Sequence, residues 1–483
     1  MYPIYPLIVC LLLASAAHAS LDMVPGATWT AAGTNKHIQA HGAGIIQVDG
    51  TYYMIGENHT NGAYFQSINC YSSTNLFDWT FENEVLTLQS SGDLGPERVV
   101  ERPKVLYNSE TETYVMWMHI DNVAYTDAKA GVATSATVCG DYTYLNSSQP
   151  LGHLSRDLGL FQDTDGTAYL LSEDRSNGLR IDRLSSDYLT AESSIYIFDD
   201  YEAPAMIKIN DTYFLFASGL TGYSANDNYY TTATNLSGPW ADWALFAPEG
   251  TNTFTSQTTY VLNVNGDYMY AALSIREKET GGADFNCQIY GRSLVVDRPR
   301  FIDIHLATTN HFGELRIHRK PSPALTVSWM LHLLIGVLSF SQAKNATWTP
   351  SFASGTWSWT TITTNVSATS GTRGGSATLS GDLVSYIGGP DAGTLTFDSL
   401  SFSSAPGETT VQIVYRNDDN MQRACNVTVN GESHILSFLP TSGSADLAIS
   451  VLDVTLETEN NNTIIFSAYN EGYCPNIEGL MIS

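Results

Sequence analysis

Five segments of this chain share one pattern, in which a polar residue begins an apolar strand and a turn and an aromatic strand follow. The turn comes nine positions after the polar residue in four segments and eleven positions after it in the second. A fixed offset inside a repeat indicates one structural position that occurs five times. The residues at that position are His41, Glu101, Asp157, Glu202 and Gln257. These are residue types that carry out proton chemistry.

The repeats predict the architecture of the first part of the chain. They cover residues 38–273 with a period of roughly 45–65 residues, which is in the range of β-propellers. Four strands per repeat and five repeats predict an all-β, five-bladed propeller over residues 20–273. The first strand of each blade lies nearest the axis, so we expect the five polar residues to converge on one central pocket.

The pattern stops after residue 273 and β character returns near residue 346. The stretch 274–345 is basic and poor in tyrosine, and we interpret it as an insert and linker foreign to the fold, with a translated intron as the leading hypothesis. Its apolar run, 324–340, is shorter than the ~20 residues of a membrane helix, which leaves a membrane anchor as the weaker alternative. Residues 346–361 are expected to hold a strand that closes the propeller. Short strands separated by glycine turns predict a β-sandwich of jelly-roll type over residues 362–483.

Charge and targeting signals indicate which partners the protein can bind and where it is located. The 49 acidic and 22 basic residues give a formal net charge of -27, and such a surface repels nucleic acid and suits neutral substrates. Residues 1–19 are predicted to be a signal peptide, with an apolar run at 7–13 and a small-residue cleavage site. We therefore expect an extracellular protein. The glycosylation sequons agree with export and begin at Asn58, Asn146, Asn210, Asn235, Asn345, Asn365, Asn426 and Asn461.

An odd number of cysteines remains after removal of the signal peptide. Of these five residues, Cys425 and Cys474 lie in the same predicted domain and are a plausible disulfide. Buried free thiols are the alternative. The cysteine spacing fits neither a zinc site nor a redox motif.

The polar positions suit acid catalysis. A general acid must be protonated near the working pH, so burial or a neighbouring carboxylate must raise its pKa. Glu202 lies in an apolar stretch, and Asp157 and Glu101 are expected on neighbouring blades, close enough to tune it. The alternative is that Asp157 and Glu101 form inert ion pairs with the adjacent Arg156 and Arg102.

Further pocket residues are predicted beside the five positions. Glu57 and His119 resemble secondary polar groups of the pocket, and Tyr125 and Trp117 could offer faces on which a sugar stacks. Core packing is the alternative for Trp117.

Six short motifs carry a resemblance to a known family. They are Gln39-Ala-His-Gly-Ala-Gly44, Gly56-Glu57, Val100-Glu-Arg-Pro-Lys-Val105, Ser155-Arg-Asp157, Tyr201-Glu-Ala-Pro204 and Thr255-Ser-Gln-Thr258. Over residues 25–273 the chain resembles glycoside hydrolase family 43, five-bladed inverting enzymes, and within it the exo-β-1,3-galactanases.

The resemblance implies a role for each position. Glu202 matches the general acid, Asp157 the residue that modulates its pKa, and Glu101 the acid that orients the substrate. The family's usual base, an aspartate in the first blade, is missing beside His41, as is typical of the galactanase group. Gln257 matches the residue proposed to take the place of the base there, by positioning water or as its imidic tautomer. His41, Glu57, Tyr125 and Trp117 are expected to contact substrate.

The C-terminal part resembles a family-35 carbohydrate-binding module. The residues that carry this are Tyr386 in Tyr386-Ile-Gly-Gly389, and Tyr473 and Asn476 in Tyr473-Cys-Pro-Asn476. The acidic pair that binds calcium in such modules is not evident near Asn365, so calcium is doubtful and no cofactor or metal is expected for catalysis.

Together these features predict a secreted exo-acting enzyme that releases galactose from the β-1,3-galactan backbones of arabinogalactan, with inversion. The alternatives are another family-43 activity, such as an α-L-arabinofuranosidase or a β-xylosidase, and a non-catalytic glycan-binding protein. A polysaccharide is the expected partner, without nucleic acid or membrane, and a monomer is expected.

Overall fold

A computed structural model describes most of the chain. The ranges are 27–62, 64–222, 224–264, 267–277, 283–286, 296–297, 300–301, 346–351, 356–361, 364–401, 407–441, 446–457 and 461–482. The predicted signal peptide, Cys287 and most of the stretch 274–345 lie outside these ranges.

Four four-stranded antiparallel sheets and one three-stranded sheet follow one another along the chain, each in simple sequence order. Blade one contains β1 (His41–Val48), β2 (Thr51–Glu57), β3 (Ser67–Ser73) and β4 (Thr80–Thr87). Blade two contains β5 (Arg98–Asn108), β6 (Thr113–Asn122), β7 (Lys129–Ser135) and β8 (Thr143–Ser148). Blade three contains β9 (Leu158–Gln162), β10 (Ala168–Asp174), β11 (Gly178–Leu184) and β12 (Ala191–Ile197).

The last two blades complete the ring. Blade four contains β13 (Tyr201–Ile209), β14 (Thr212–Gly219), β15 (Asn228–Ala233) and β16 (Ala244–Leu245). Blade five contains β17 (Ser256–Val264), β18 (Asp267–Glu277) and β19 (Ala283–Asn286). Helical structure in the described residues is limited to short turns at Gly92–Leu94, Pro150–Gly152, Asn252–Thr255 and Ala368–Ser370. No helix in these ranges is long and apolar enough to cross a membrane.

The first strands of the five blades form the inner ring, as predicted. Strands β1, β5, β9, β13 and β17 contact each other in cyclic order. The hydroxyl of Thr259 in the last blade donates to the carbonyl of Ala43 in the first blade, at 2.9 Å, and so helps to close the ring. Apolar side chains fill the spaces between neighbouring blades, while the polar starts of the inner strands face one another. A five-bladed β-propeller is therefore observed.

A bulge re-aims the polar residue in three blades. In blades one, two and four the strand register shifts directly after that residue. The following residue has a left-handed φ, +59° at Gly42, +53° at Arg102 and +56° at Ala203. Bulges of this kind bend a strand and redirect a side chain, and they are common beside active sites. The left-handed backbone at Arg102 and Ala203 is therefore locally strained, and this strain accompanies the redirection of the polar side chain that precedes each of them.

Two packed sheets make up the C-terminal β-sandwich. The short strands β20 (Val296–Asp297) to β23 precede it, with β21 at Arg300–Phe301, β22 at Ala346–Ser351 and β23 at Thr356–Thr361. The strands of the sandwich are β24 (Thr364–Ser367), β25 (Thr372–Gly374), β26 (Thr378–Ser380), β27 (Leu383–Ser385), β28 (Thr394–Leu400), β29 (Gly407–Arg416), β30 (Arg423–Val429), β31 (Glu432–Phe438), β32 (Ala448–Leu456), β33 (Asn462–Ala468) and β34 (Asn476–Ile482). One sheet has the order β26-β27-β34-β29-β32 with β24 beside β34, and the other has the order β25-β28-β33-β30-β31.

Some boundaries differ from those expected. Strand β18 runs past residue 273 to Glu277 and pairs there with β19, so part of the stretch interpreted as an insert belongs to blade five. Among the described strands, β22 and β23 pair only with each other, and neither is seen to close the propeller. The rest of the stretch interpreted as a translated intron lies outside the described residues.

Two disulfides each connect a strand to a distant loop. The first joins Cys425 in β30 to Cys474, as the sequence suggested, across 49 residues. The second joins Cys70 in β3 to Cys139 and links blades one and two. The sequence had not paired these two residues, because the order in which the blades meet was needed to bring them together.

The segment before blade one joins the propeller to the sandwich. The backbone N–H of Thr28 donates to the carbonyl of Ile449 at 2.7 Å, and the hydroxyls of Thr30 and Ser437 are 2.9 Å apart. Val451 of the sandwich packs in the same cluster as Trp29. The two domains therefore share buried surface.

A glycine sets the distance between the inner strands of blades three and four. A Cβ at Gly159 would lie 2.5 Å from the carbonyl oxygen of Pro204. We expect Gly159→Ala to destabilise the protein by about 1–3 kcal/mol, because the strands must separate, and to move Asp157 and Glu202 apart. Urea denaturation measures the first effect. Gly219→Ala is the matched control, since its Cβ would meet Asn226 only at 3.8 Å; equal effects of the two changes would contradict the account.

Candidate active site

A buried arginine lies at the centre of the ring. Arg102 follows Glu101 on β5, and its guanidinium Nε is 2.9 Å from Asp157 Oδ1 on blade three. The same guanidinium donates to Gln257 Oε1 and, at 2.9 Å, to the carbonyl of Thr258 on blade five. The inert local pair of Arg102 with Glu101 is therefore not what is observed: Arg102 connects three blades.

The cation is surrounded by acids. The backbone N–H of Arg102 donates to Glu57 Oε1 at 2.6 Å. Although burial opposes the charge, the carboxylates of Asp157, Glu202, Glu57 and Glu101 raise the pKa of Arg102 further. Residues predicted in four separate repeats thus lie within electrostatic reach of one guanidinium.

Glu202 lies buried beside this cation. Its Oε2 accepts from Arg175 at 2.9 Å, and its Oε1 accepts from the side-chain amide of Gln257 at 3.1 Å. Burial, reinforced by the charges of Asp157 and Glu173, raises the pKa of Glu202 to about 8. A carboxyl group with this pKa is mostly protonated at neutral pH and can donate a proton.

Three carboxyl groups meet at this point. Oxygen atoms of Asp157, Glu173 and Glu202 lie within 4.8 Å of one another. Glu173, at the end of β10, accepts from Arg175 Nε at 2.8 Å and from the backbone N–H of Asp157 at 3.3 Å. Burial and the charge of Asp157 raise the pKa of Glu173. The cluster therefore holds protons that isolated carboxylates would lose, because like charges at this distance do not all ionise.

Gln257 is held on three sides. Its carbonyl oxygen accepts from Arg102, and its amide nitrogen donates to Glu202 Oε1 and, at 2.9 Å, to the hydroxyl of Ser218. These partners fix which end of the amide is oxygen, since the flipped amide would point a donor at the guanidinium. Acid and water-activating groups of inverting enzymes stand about 6.5–9.5 Å apart, whereas Gln257 touches Glu202 directly. In this arrangement the two side chains do not flank a substrate-sized gap.

Glu101 belongs to a separate hydrogen-bonded chain on blade two. It accepts from Tyr125 OH at 2.7 Å and from His119 Nδ1 at 3.0 Å, while His119 Nε2 is 2.9 Å from Asp121. Although burial opposes it, hydrogen bonds to Asp121 and Glu101 raise the pKa of His119 to about 9. At neutral pH an imidazolium therefore orients Glu101, together with the hydroxyl of Tyr125.

On blade one, Glu57 lies on the second strand, at the position that His119 has on blade two. It pairs in register with His41, whose Nδ1 is 3.3 Å from Glu57 Oε2, and it accepts from His59 Nε2 at 2.6 Å. Although burial favours the neutral acid, the contacts with His41 and His59 hold the pKa of Glu57 well below its usual range. Burial lowers the pKa of His41. Glu57 is thus an ionised acceptor at the edge of the Arg102 cluster.

Trp117 does not reach the pocket, contrary to the stacking role considered for it. The side chain is 2% exposed, packs between blades two and three, and donates to the carbonyl of Tyr188 at 2.8 Å. Trp117 lies two residues before His119 on the same face of β6, but its ring enters the inter-blade core. Its role is packing.

The residues predicted for the C-terminal module lie on one side of the sandwich. Tyr386 is 60% exposed and Tyr473 is 37% exposed, with ring centroids 6.1 Å apart in an edge-to-face contact. A Cβ at Gly389 would collide with the ring of Tyr473, so a glycine is needed there. Asn476 donates to Asp418 at 3.2 Å.

Two groups in the described residues offer three potential metal ligands each. They are His41, Glu57 and His59, and Asp157, Glu173 and Glu202. In the second group Arg102 and Arg175 already place positive charge against the carboxylates. Both groups lie in the propeller, and no such group occurs in the described part of the sandwich.

Comparisons with known proteins identify the family of the chain. Residues 39–298 match the family described as Glycosyl hydrolases family 43. A search of the curated proteins gave no match. The crystal structure of the exo-β-1,3-galactanase from Phanerochaete chrysosporium with galactose is 30% identical, with a TM-score of 0.61, and covers 96% of this chain and 100% of that one.

Two further structures match a little over half of the chain. The putative exo-β-1,3-galactanase from Bifidobacterium bifidum s17 is 34% identical over 57% of this chain and 94% of that one, with a TM-score of 0.53. The exo-β-1,3-galactanase from Clostridium thermocellum is 32% identical over 55% of this chain and 61% of that one, with a TM-score of 0.51. The chain therefore belongs to glycosyl hydrolase family 43, and it is a glycoside hydrolase.

Proposed function

We propose that this chain is a secreted, inverting exo-glycosidase that releases galactose from the β-1,3-galactan backbones of arabinogalactan. The observation that carries the proposal is Glu202, a buried acid kept protonated beside Asp157 and Glu173. The substrate rests on similarity to exo-β-1,3-galactanases, one of which has been solved with galactose and, as variants of a single glutamate, with β-1,3-galactotriose.

In the proposed reaction Glu202 protonates the glycosidic oxygen as the bond to the leaving sugar breaks. The carboxylates of Asp157 and Glu173 keep its proton in place until that step. Water forms the new bond to the anomeric carbon from the opposite face and releases its proton to the solvent, from which Glu202 is protonated again. Arg175, which contacts both Glu173 and Glu202, balances the charge left on Glu202 after the transfer. Glu101, oriented by His119 and Tyr125, is proposed to accept a hydrogen bond from a substrate hydroxyl.

Gln257 is proposed to orient the attacking water or a sugar hydroxyl. Its imidic tautomer would carry an O–H where Arg102 already presents a donor, so the contacts favour the ordinary amide. The direct contact with Glu202 then opens when a substrate enters between them.

Export and a carbohydrate-binding role for the sandwich are further parts of the proposal. The two disulfides fit an oxidising compartment, and the sequon residues Asn146, Asn210 and Asn235 are exposed. The exposed pair of Tyr386 and Tyr473 offers an aromatic surface of the kind on which sugars stack.

The direct test is product release by the purified protein from β-1,3-galactan and from arabinoxylan. We expect galactose from the first only, formed initially as the α-anomer in ¹H NMR because the reaction inverts. Glu202→Gln should lower kcat by about 10²–10⁴-fold, as loss of a general acid does. The exposed Glu192→Gln serves as the matched control. Pentose release would support another family-43 activity, and binding without release would support a non-catalytic protein.

Substitutions at Gln257 separate its two possible roles. If Gln257 orients water, Gln257→Glu should keep turnover within about 10²-fold of the wild type, since the carboxylate still accepts from Arg102. Gln257→Leu, with a side chain of similar size, should lose considerably more of the wild-type turnover. Steady-state kinetics on β-1,3-galactan measure both. Equal, near-complete loss in the two variants would point to chemistry that only the amide can perform.

A further inference from the structure

A cavity of about 330 Å³ lies where the first blade meets the C-terminal sandwich, away from the Arg102 cluster. Its volume falls in the range of small-ligand pockets, which often occur between domains. The propeller and the segment before it contribute most of the lining, and the sandwich contributes Gln422, which also donates to the carbonyl of Asn35 at 3.1 Å.

The lining is polar, nearly uncharged and partly aromatic. Amide side chains come from Gln39, Asn58, Asn69 and Gln422. The charged residues of the lining are Lys36 and Glu84, one of each sign. This combination suits a neutral ligand with many hydroxyl groups and disfavours an anion or an apolar molecule.

A buried histidine in the lining has an uncommitted donor. His37 is 3% exposed, and its Nδ1 is 3.5 Å from Gln39 Nε2. The Gln39 amide is oriented, because its Oε1 accepts from the backbone N–H of His59 at 3.1 Å. Its nitrogen therefore faces His37 and donates to Nδ1.

The protonation of His37 follows from these contacts. Burial lowers its pKa to about 4, so the ring is neutral near pH 7. With Nδ1 as acceptor, the proton sits on Nε2. In the part of the chain that the structure describes, Nε2 has no hydrogen-bond partner. A buried donor of this kind costs free energy unless a ligand or water satisfies it.

An aromatic surface lies across the same cavity. Phe81 is 43% exposed and meets Tyr71 edge to face, with centroids 5.5 Å apart. An exposed phenyl ring held by a second ring presents a flat apolar face to a ligand. Sugars combine such a face, formed by their C–H groups, with hydroxyls that accept from donors such as His37 Nε2.

A chain of hydrogen bonds connects the cavity lining to the Arg102 cluster. His59 donates from its backbone to Gln39 in the lining, and its ring contacts Glu57 at 2.6 Å. Glu57 in turn accepts from the backbone of Arg102. The lining is therefore connected to Arg102 through His59 and Glu57.

We propose that the junction cavity is an accessory glycosyl-binding site, which holds a neutral sugar unit of the polysaccharide other than the one being cleaved. Its place in catalysis rests on the proposed galactanase function. The binding chemistry of the site, one donor from His37 and one stacking face from Phe81, is independent of that function.

The test is calorimetric titration of the full chain with linear β-1,3-galactan, branched arabinogalactan and arabinoxylan. The background carries Glu202→Gln, which stops cleavage of the glycan during the titration, and Tyr386→Ala, which weakens the proposed sugar surface of the sandwich. We expect Phe81→Ala to raise the Kd of at least one of these glycans about five- to tenfold, and His37→Ala to raise it roughly three- to tenfold.

Tyr107→Ala is the matched control, because Tyr107 is also a partly exposed ring packed against a second ring, Tyr114, and does not line the cavity. It should leave the Kd unchanged. If His37→Ala fails to fold, Phe81→Ala decides alone, since that side chain is exposed. The same Kd in Phe81→Ala and Tyr107→Ala for all three glycans would overturn the inference. Binding of arabinoxylan alone, without galactose release by the wild type, would keep the site and overturn the galactanase function.

Discussion

The guanidinium of Arg102 is the contact on which the site depends. It draws Asp157 from blade three and Gln257 from blade five to the axis, while its own backbone binds Glu57 on blade one. A propeller brings polar strand ends near one another but leaves their like charges to repel. A buried cation with several directed donors compensates that repulsion and fixes the geometry. The bulge at Arg102 aims the side chain inward, so the strained backbone and the charge act together.

The protonation of the cluster follows from its balance of charge. Arg102, Arg175 and the imidazolium of His119 face more carboxyl groups than they can neutralise. The excess is resolved by raised pKa values at Glu202 and Glu173, the acids closest to Asp157. The raised pKa of Glu202 is thus a property of the whole cluster, and removal of any one charge should shift the pKa values of the other groups.

The sequence predicted the propeller and the five inner positions because their spacing repeats. It could not predict the cross-blade contacts of Arg102, since the adjacent Glu101 offered a simpler local partner. Glu173 and Ser218 were also missed, although a signal existed. Each lies at the end of its blade's second strand, beside the inner polar residue, where Glu57 had been noticed. Trp117 was wrongly expected in the pocket, because the alternation of side chains along a strand does not reveal which face of the strand packs between blades.

The most direct test of the account is the pH dependence of kcat/KM for the wild type and Asp157→Asn on β-1,3-galactan. Glu202 acts when protonated, so activity should fall as the pH rises through about 8, the raised pKa of this acid. The charge of Asp157 helps to raise that pKa, and its removal also takes away the carboxylate that contacts Arg102 beside Glu202. The account therefore predicts that the basic limb of Asp157→Asn moves to lower pH. A basic limb at the same or a higher pH would contradict it.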